Sequence, residues 1–328
     1  MPRTAGSLLA NLEVLARGAA GPAGAALLGA RWSFALPRPA LRESLTEFSP
    51  PGGPAPFFAA LEARTGVRVT EGRGGALHGH LASGGAVVVA VDVFHLPYRP
   101  AFGRVHSSRT VRVRPGPAPG QVWVDDDWPP VRSGPLDAAV LDRARASPVP
   151  RDEVREPLFA GTPVAGEWWA VEVDGEVCAA LPARVDALLD ELRREAVEGG
   201  EDDAGRYGLA AFAAFRAEVD SALTTGPGRT FLRTASLLLR AELGSRVYLC
   251  ALLAAAARWT GCAALAREAA AYHRTLREME VARDVLAKSL AGFRPEYAPF
   301  VSGCLARAGA AEQRLAETLA RRARAGTP

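Results

Sequence analysis

Val87-Val88-Val89-Ala90-Val91 is an unbroken apolar run, and it passes directly into Asp92-Val93-Phe94-His95-Leu96-Pro97-Tyr98-Arg99-Pro100-Ala101-Phe102. A mostly β-branched run of this length predicts a strand covered on both faces. The next segment, Val105-His106-Ser107-Ser108-Arg109-Thr110-Val111-Arg112-Val113, alternates instead. Its odd-numbered residues are expected to face the core and its even-numbered ones solvent. A Pro/Gly loop then leads to Gln121-Val122-Trp123-Val124-Asp125-Asp126-Asp127, where Val122, Val124 and Asp126 share a face. The two segments are expected to pair antiparallel. Parity places Arg109 and Asp126 both inward, and because a buried charge needs a partner, the two are expected to pair.

Outward from this stretch, Val67-Arg68-Val69 predicts an edge strand and residues 166–173 another strand. Residues 72–85 are rich in glycine, carry His78 and His80, and read as a connector. Residues 135–145 predict a short helix, 148–163 a proline-rich connector, 7–16 a helix and 32–34 a strand. Six prolines and two glycines between residues 37 and 56 predict irregular chain there. Beyond residue 180 the periodicity turns helical. Leu265, Ala269, Tyr272, Leu276, Met279, Arg283, Leu286 and Leu290 form a coiled-coil-like seam, and the last helix is expected to begin near Pro299. The predicted class is α+β, with a mixed domain over 1–176, containing an antiparallel sheet, and an α-helical domain over 177–328.

Apolar residues make up 48% of the 328 and charged residues 23%, which excludes a disordered chain. The net charge is +3, and its 39 basic residues are spread along the chain rather than gathered in a stripe. Nucleic acid is therefore not an expected partner. The longest apolar run, residues 247–257, is about half the ~20 residues a membrane span needs, so no membrane is expected either. Cys178, Cys250, Cys262 and Cys304 are widely separated, which argues against a zinc site or a disulfide framework. No signal peptide is read at Met1-Pro2-Arg3, and the expected location is cytoplasmic. No cofactor is expected.

Val89-Ala90-Val91-Asp92-Val93-Phe94-His95-Leu96-Pro97-Tyr98-Arg99-Pro100-Ala101-Phe102, followed by Val105-His106, resembles the signature of the butirosin-biosynthesis protein H N-terminal family. Leu28-Gly29-Ala30-Arg31-Trp32-Ser33-Phe34 is similar to that family's early motif. The resemblance covers most of residues 4–175 and implies a papain-like cysteine-peptidase fold. It also implies acyl transfer from an acyl carrier protein to an amine, with a Cys nucleophile, a His base and an orienting Asp. The family's cysteine would fall near Thr4 to Ser7, where this chain has none, and its histidine falls on Arg109. Its aspartate falls on Asp126. A guanidinium cannot act as a general base, so the thiol mechanism does not carry over.

The expected function is therefore biosynthesis of a specialised metabolite, on an acyl or carrier-bound thioester intermediate, without a cysteine nucleophile. The reaction would be acyl transfer, condensation or cyclisation. Arg109 would hold a carboxylate or enolate oxygen, with Asp126 orienting it, and Asp92, His95 or His106 would move protons. Tyr98 and Arg99 would bind a ligand carboxylate or phosphate, or else brace the corner. Ser7 and Thr4 stand where the nucleophile would be. The bland readings are a loop role for His106, a structural corner for Asp92 and His95, and loop histidines rather than metal ligands at His78 and His80. The alternative function is a non-catalytic partner that stabilises a biosynthetic enzyme or carrier through the helical half.

Overall fold

The computed structural model describes residues 7–32, 34–37, 54–150, 164–201 and 205–325. In chain order the elements are α1 (Ser7–Ala20), α2 (Pro22–Leu27), β1 (Ala35–Pro37), α3 (Pro54–Thr65), β2 (Val67–Gly72), α4 (Ala76–Ala82) and β3 (Val87–Asp92). They continue with β4 (Ser108–Pro115), β5 (Gln121–Asp126), β6 (Arg132–Asp137), α5 (Ala138–Arg145), β7 (Trp168–Val173) and α6 (Gly175–Glu198). The chain ends through β8 (Gly200–Glu201), β9 (Gly205–Tyr207), α7 (Gly208–Thr225), α8 (Arg229–Thr260), α9 (Ala263–Lys288) and α10 (Ala298–Ala325). The architecture is α+β, with an antiparallel sheet in the N-terminal half and helices dominating after it.

Two compact units emerge. A sheet unit is formed by Ser7–Gly21 and Val67–Val173, and a helical unit by Pro22–Gly66 and the chain from Asp174 onward. A single cut near residue 176 lies beside the last crossing between units.

In the sheet unit six strands lie in the order β2-β7-β3-β4-β5-β6, every pairing antiparallel. The valine run is β3, and every residue of it is buried. Val87, Val89 and Val91 pack with Val111, Val113, Val122 and Val124 beneath α4 and α5, through Leu77, Leu81 and Leu141. Each fully buried valine contributes about 1.5–3 kcal/mol. On the opposite face Leu8, Leu12 and Ala16, spaced at i, i+4 and i+8, are the buried stripe of α1. α1 packs on β3, β4 and β7. The Asn11 amide of α1 donates to the Thr110 carbonyl and hydroxyl, each at 3.0 Å. The even-numbered side of β4 is therefore covered by α1 at Thr110, where parity alone predicted solvent.

Three further expectations are corrected. The predicted strand at 32–34 forms instead at Ala35–Pro37, and Trp32 and Phe34 are buried outside any strand. The predicted helix at 135–145 splits into β6 and α5, because Pro135 sits on an edge strand, where a missing N–H is tolerated. The glycine-rich connector contains α4, whose buried Leu77 and Leu81 repeat at i, i+4. The irregular stretch and the proline-rich connector fall largely on residues 38–53 and 151–163, outside the described residues.

The helical unit is organised by buried polar groups as well as by its leucines. Glu312 on α10 accepts from Tyr272 of α9 at 2.5 Å, from Arg246 Nε of α8 at 2.8 Å, and from the Trp32 indole. Arg246 also donates to Glu242 at 3.0 Å. Burial and the neighbouring Glu312 push the Tyr272 hydroxyl well above its ordinary range. Gly29 lies so close to α8 that an added Cβ would meet the Tyr248 carbonyl oxygen at 2.1 Å. Phe34 packs edge-on against Phe212, ring centroids 5.0 Å apart. The segment from Leu28 to Phe34 is thus a packing motif of the helical unit, with Gly29 for close approach and Trp32 for the Glu312 bond. Along α9 the seam holds at Leu265, Ala269, Tyr272, Leu276, Met279 and Leu286, and Ala282 takes the buried place beside Arg283.

Glu312→Ala leaves the Arg246 guanidinium and the Tyr272 hydroxyl buried without their shared acceptor. A loss of about 3–5 kcal/mol is expected in denaturant-induced unfolding.

Candidate functional site

The last residue pair of the β3–β4 ladder is Asp92 with Ser108, so the buried strand ends at its one charge. Asp92 itself is 0% exposed. Its Oδ1 accepts from the backbone N–H of Phe94 at 3.1 Å and of Ser107 at 3.0 Å, closing both ends of the corner between β3 and β4. Its Oδ2 is shared by His106 Nδ1 and Ser147 Oγ, both at 2.6 Å. Burial pushes the Asp92 carboxyl upward. The bonds from His106, Ser147, Phe94 and Ser107 outweigh it and hold the group below its ordinary value. An ionised carboxylate accepts only, so His106 Nδ1 donates to it, and in the neutral form of the ring the lone pair is then on Nε2. The ring stacks on Phe94 at 4.0 Å and 10°, and its centroid is 6.2 Å from that of His95. His106 lies in the irregular chain just before β4, held there by Asp92 and Phe94, and its side chain retains 16% exposure.

A second cluster joins the middle of the same corner to the end of β5. Asp126 is buried, as parity predicted, and forms an ion pair with Arg99. It also accepts from the Tyr98 hydroxyl and from the Trp128 N–H, each at 3.3 Å. Arg99 Nη1 donates to the carbonyls of Trp128 at 2.9 Å and Pro129 at 3.0 Å, which ties the loop after β5 onto the corner. Arg109 lies with its guanidinium 5.4 Å over the Trp128 ring. Burial raises the Tyr98 hydroxyl, and the charges of Arg99 and Arg109 act against that rise.

The structure therefore brings Asp92, His106 and His95 together, and separately Asp126, Arg99 and Tyr98, with Arg109 beside Trp128 and Tyr98. The ion pair described for Asp126 is with Arg99, whereas parity pointed to Arg109. Parity compared only the two strands and could not register a cation arriving from the corner. Of the residues at the nucleophile position, Thr4 lies outside the described residues, and of Ser7 only its place at the start of α1 is described. Ser147 was missed. It follows α5, 55 positions from Asp92, and no periodicity marks it.

His78 and His80 lie on α4, His78 3.4 Å from Asp142 and His80 against the Trp168 ring. Among the described residues no group of three or more His, Cys, Asp or Glu is placed to hold a metal ion. All four thiols are free and belong to the helical unit. Burial pushes Cys250 up to about 12, and it also raises Cys178 and Cys304. No helix of the described residues is long and apolar enough to cross a membrane. No protein-family model matches the chain, and no curated protein matches it.

Because the folded Asp92 carboxyl titrates below its unfolded value of about 3.9, its contribution is fully present above that pH. It is lost as pH falls through the lower folded value. Asp92→Asn is expected to cost about 1–3 kcal/mol at neutral pH and to flatten the acid limb of stability below about pH 4. Urea unfolding across that range measures both.

Proposed function

We propose that the sheet unit carries a proton-transfer site for acyl chemistry, with His106 as the base and Asp92 as the group that orients it. The observation that carries this reading is the Asp92 Oδ2 bond to His106 Nδ1 at 2.6 Å. Buried acid, fixed tautomer and a lone pair on Nε2 are the parts a general base requires. The resemblance of residues 89–106 supplies the substrate class, an acyl or carrier-bound thioester intermediate of specialised metabolism.

In this mechanism Nε2 takes the proton of an attacking amine or activated carbon as the new bond to the acyl carbon forms. The imidazolium, stabilised by Asp92, returns that proton to the departing thiolate. No covalent acyl-enzyme is formed, which accords with thiols raised by burial at Cys178, Cys250 and Cys304. Arg109 opposes negative charge on the acyl oxygen. Asp126, Arg99 and Tyr98 hold the wall of the site rather than enter the reaction. A cytoplasmic location and a carrier-protein partner belong to the same proposal.

A second reading, a non-catalytic partner acting through the helical unit, has one observation in its favour. A groove of about 740 Å³ runs between α8 and α9, lined largely by alanines such as Ala251, Ala254 and Ala266. Stoichiometric binding of a carrier or enzyme, with no turnover of thioester and amine, would favour it.

The test is turnover of N-acetylcysteamine thioesters with amine acceptors. His106→Gln and Asp92→Asn are each expected to lower kcat by about 10²–10⁴-fold while the fold is retained, and Cys178→Ser to leave it unchanged. Undiminished kcat in a folded His106→Gln protein would overturn the assignment.

A further inference from the structure

We infer that Ser147 is a positioning residue of the Asp92–His106 pair, its hydroxyl locking the carboxylate as an acceptor so that His106 keeps its proton on Nδ1. This rests on the proton-transfer reading above and adds to it a residue that the resemblance to residues 89–106 does not touch.

The proton inventory around the hydroxyl is complete. Asp92 cannot donate, so the Ser147 O–H donates to Oδ2 at 2.6 Å. The Ser147 oxygen accepts in turn from the Val149 N–H at 3.0 Å. Oδ2 thus holds two donors and Oδ1 two amides, leaving little acceptor capacity for a proton of its own. Among the described residues the titratable side chain bonded to Asp92 is His106. The turn after β3, Ser107 just before β4 and the segment after α5 contribute only amide and hydroxyl donors.

The serine is also held in place. Arg145, two residues earlier, donates to the carbonyls of Gly74 at 3.1 Å and Gly166 at 2.8 Å. Gly166 and Val164 return bonds to the carbonyls of Arg145 and Ser147. Val149 is 0% exposed and has φ +47°, a left-handed conformation that a β-branched residue rarely adopts. A backbone held against its own preference needs several contacts to maintain it, and the Ser147–Val149 bond is one of them. The hydroxyl therefore has one location and one orientation, set by chain on both sides of it.

Nitrogen NMR of the His106 ring and carbon NMR of the Asp92 carboxyl test this without any substrate. Wild type is expected to show the Nδ1–H tautomer. Ser147→Ala, and Ser147→Cys as a near-isosteric weak donor, should raise the Asp92 titration midpoint and mix the His106 tautomers. Ser147→Thr, which keeps the hydroxyl, should restore both. In the thioester assay kcat should fall in Ser147→Ala with KM held. If the wild-type ring is Nδ1–H and both donor-poor variants leave tautomer and midpoint unmoved, Ser147 is merely packed and the inference is wrong. If the wild-type ring is not Nδ1–H, the proton-transfer reading itself fails.

Discussion

A strand with both faces buried can carry a charge only where it stops, and β3 stops at Asp92. Five apolar residues precede it, covered by α4 and α5 on one side and by α1 on the other. The carboxylate at the end must be solvated by protein alone. Four donors do so, and they come from three places in the chain: the turn after β3, the approach to β4, and the segment after α5. Solvating one charge therefore fixes three pieces of backbone and the ring of a histidine. The requirements of folding and of the proposed proton transfer meet in the same atoms.

The helical unit faces the same problem with a different solution. Glu312 is buried among helices and gathers an arginine, a tyrosine and an indole. Here the donors are long side chains from separate elements, and what they fix is which helices meet. The two halves treat a buried acid alike. Each surrounds the acid with donors, and in each the acid becomes a point where distant chain segments are joined.

The parts legible in the sequence were those governed by local pattern. Valine run and alternation gave β3, β4 and β5 and the antiparallel pairing of β4 with β5, and parity put Asp126 inside. The role of Asp92 as a turn cap was also readable, because its partner Phe94 is two residues away. What was not readable depended on distance. Ser147 reaches Asp92 across 55 positions, and Trp32 reaches Glu312 across 280. Arg99 competes for Asp126 from a corner that strand parity does not describe. Local chemistry misled at Pro135, where a residue suited to opening a helix lies inside a strand, and at α4, where Gly79 and the flanking glycines hid two leucines one turn apart. Parity paired Arg109 with Asp126, whereas the ion pair described for Asp126 is with Arg99.

The position of Pro135 has a consequence for how the protein behaves in a crowded solution. β6 forms one rim of the described sheet, and a rim of free amides invites another chain to add itself as a further strand. A proline in its middle removes one donor from that row and fixes the backbone around it. A foreign strand docking there would meet a gap at the centre of its ladder rather than at an end. The residue that broke the helical pattern thus also limits self-templating at this rim.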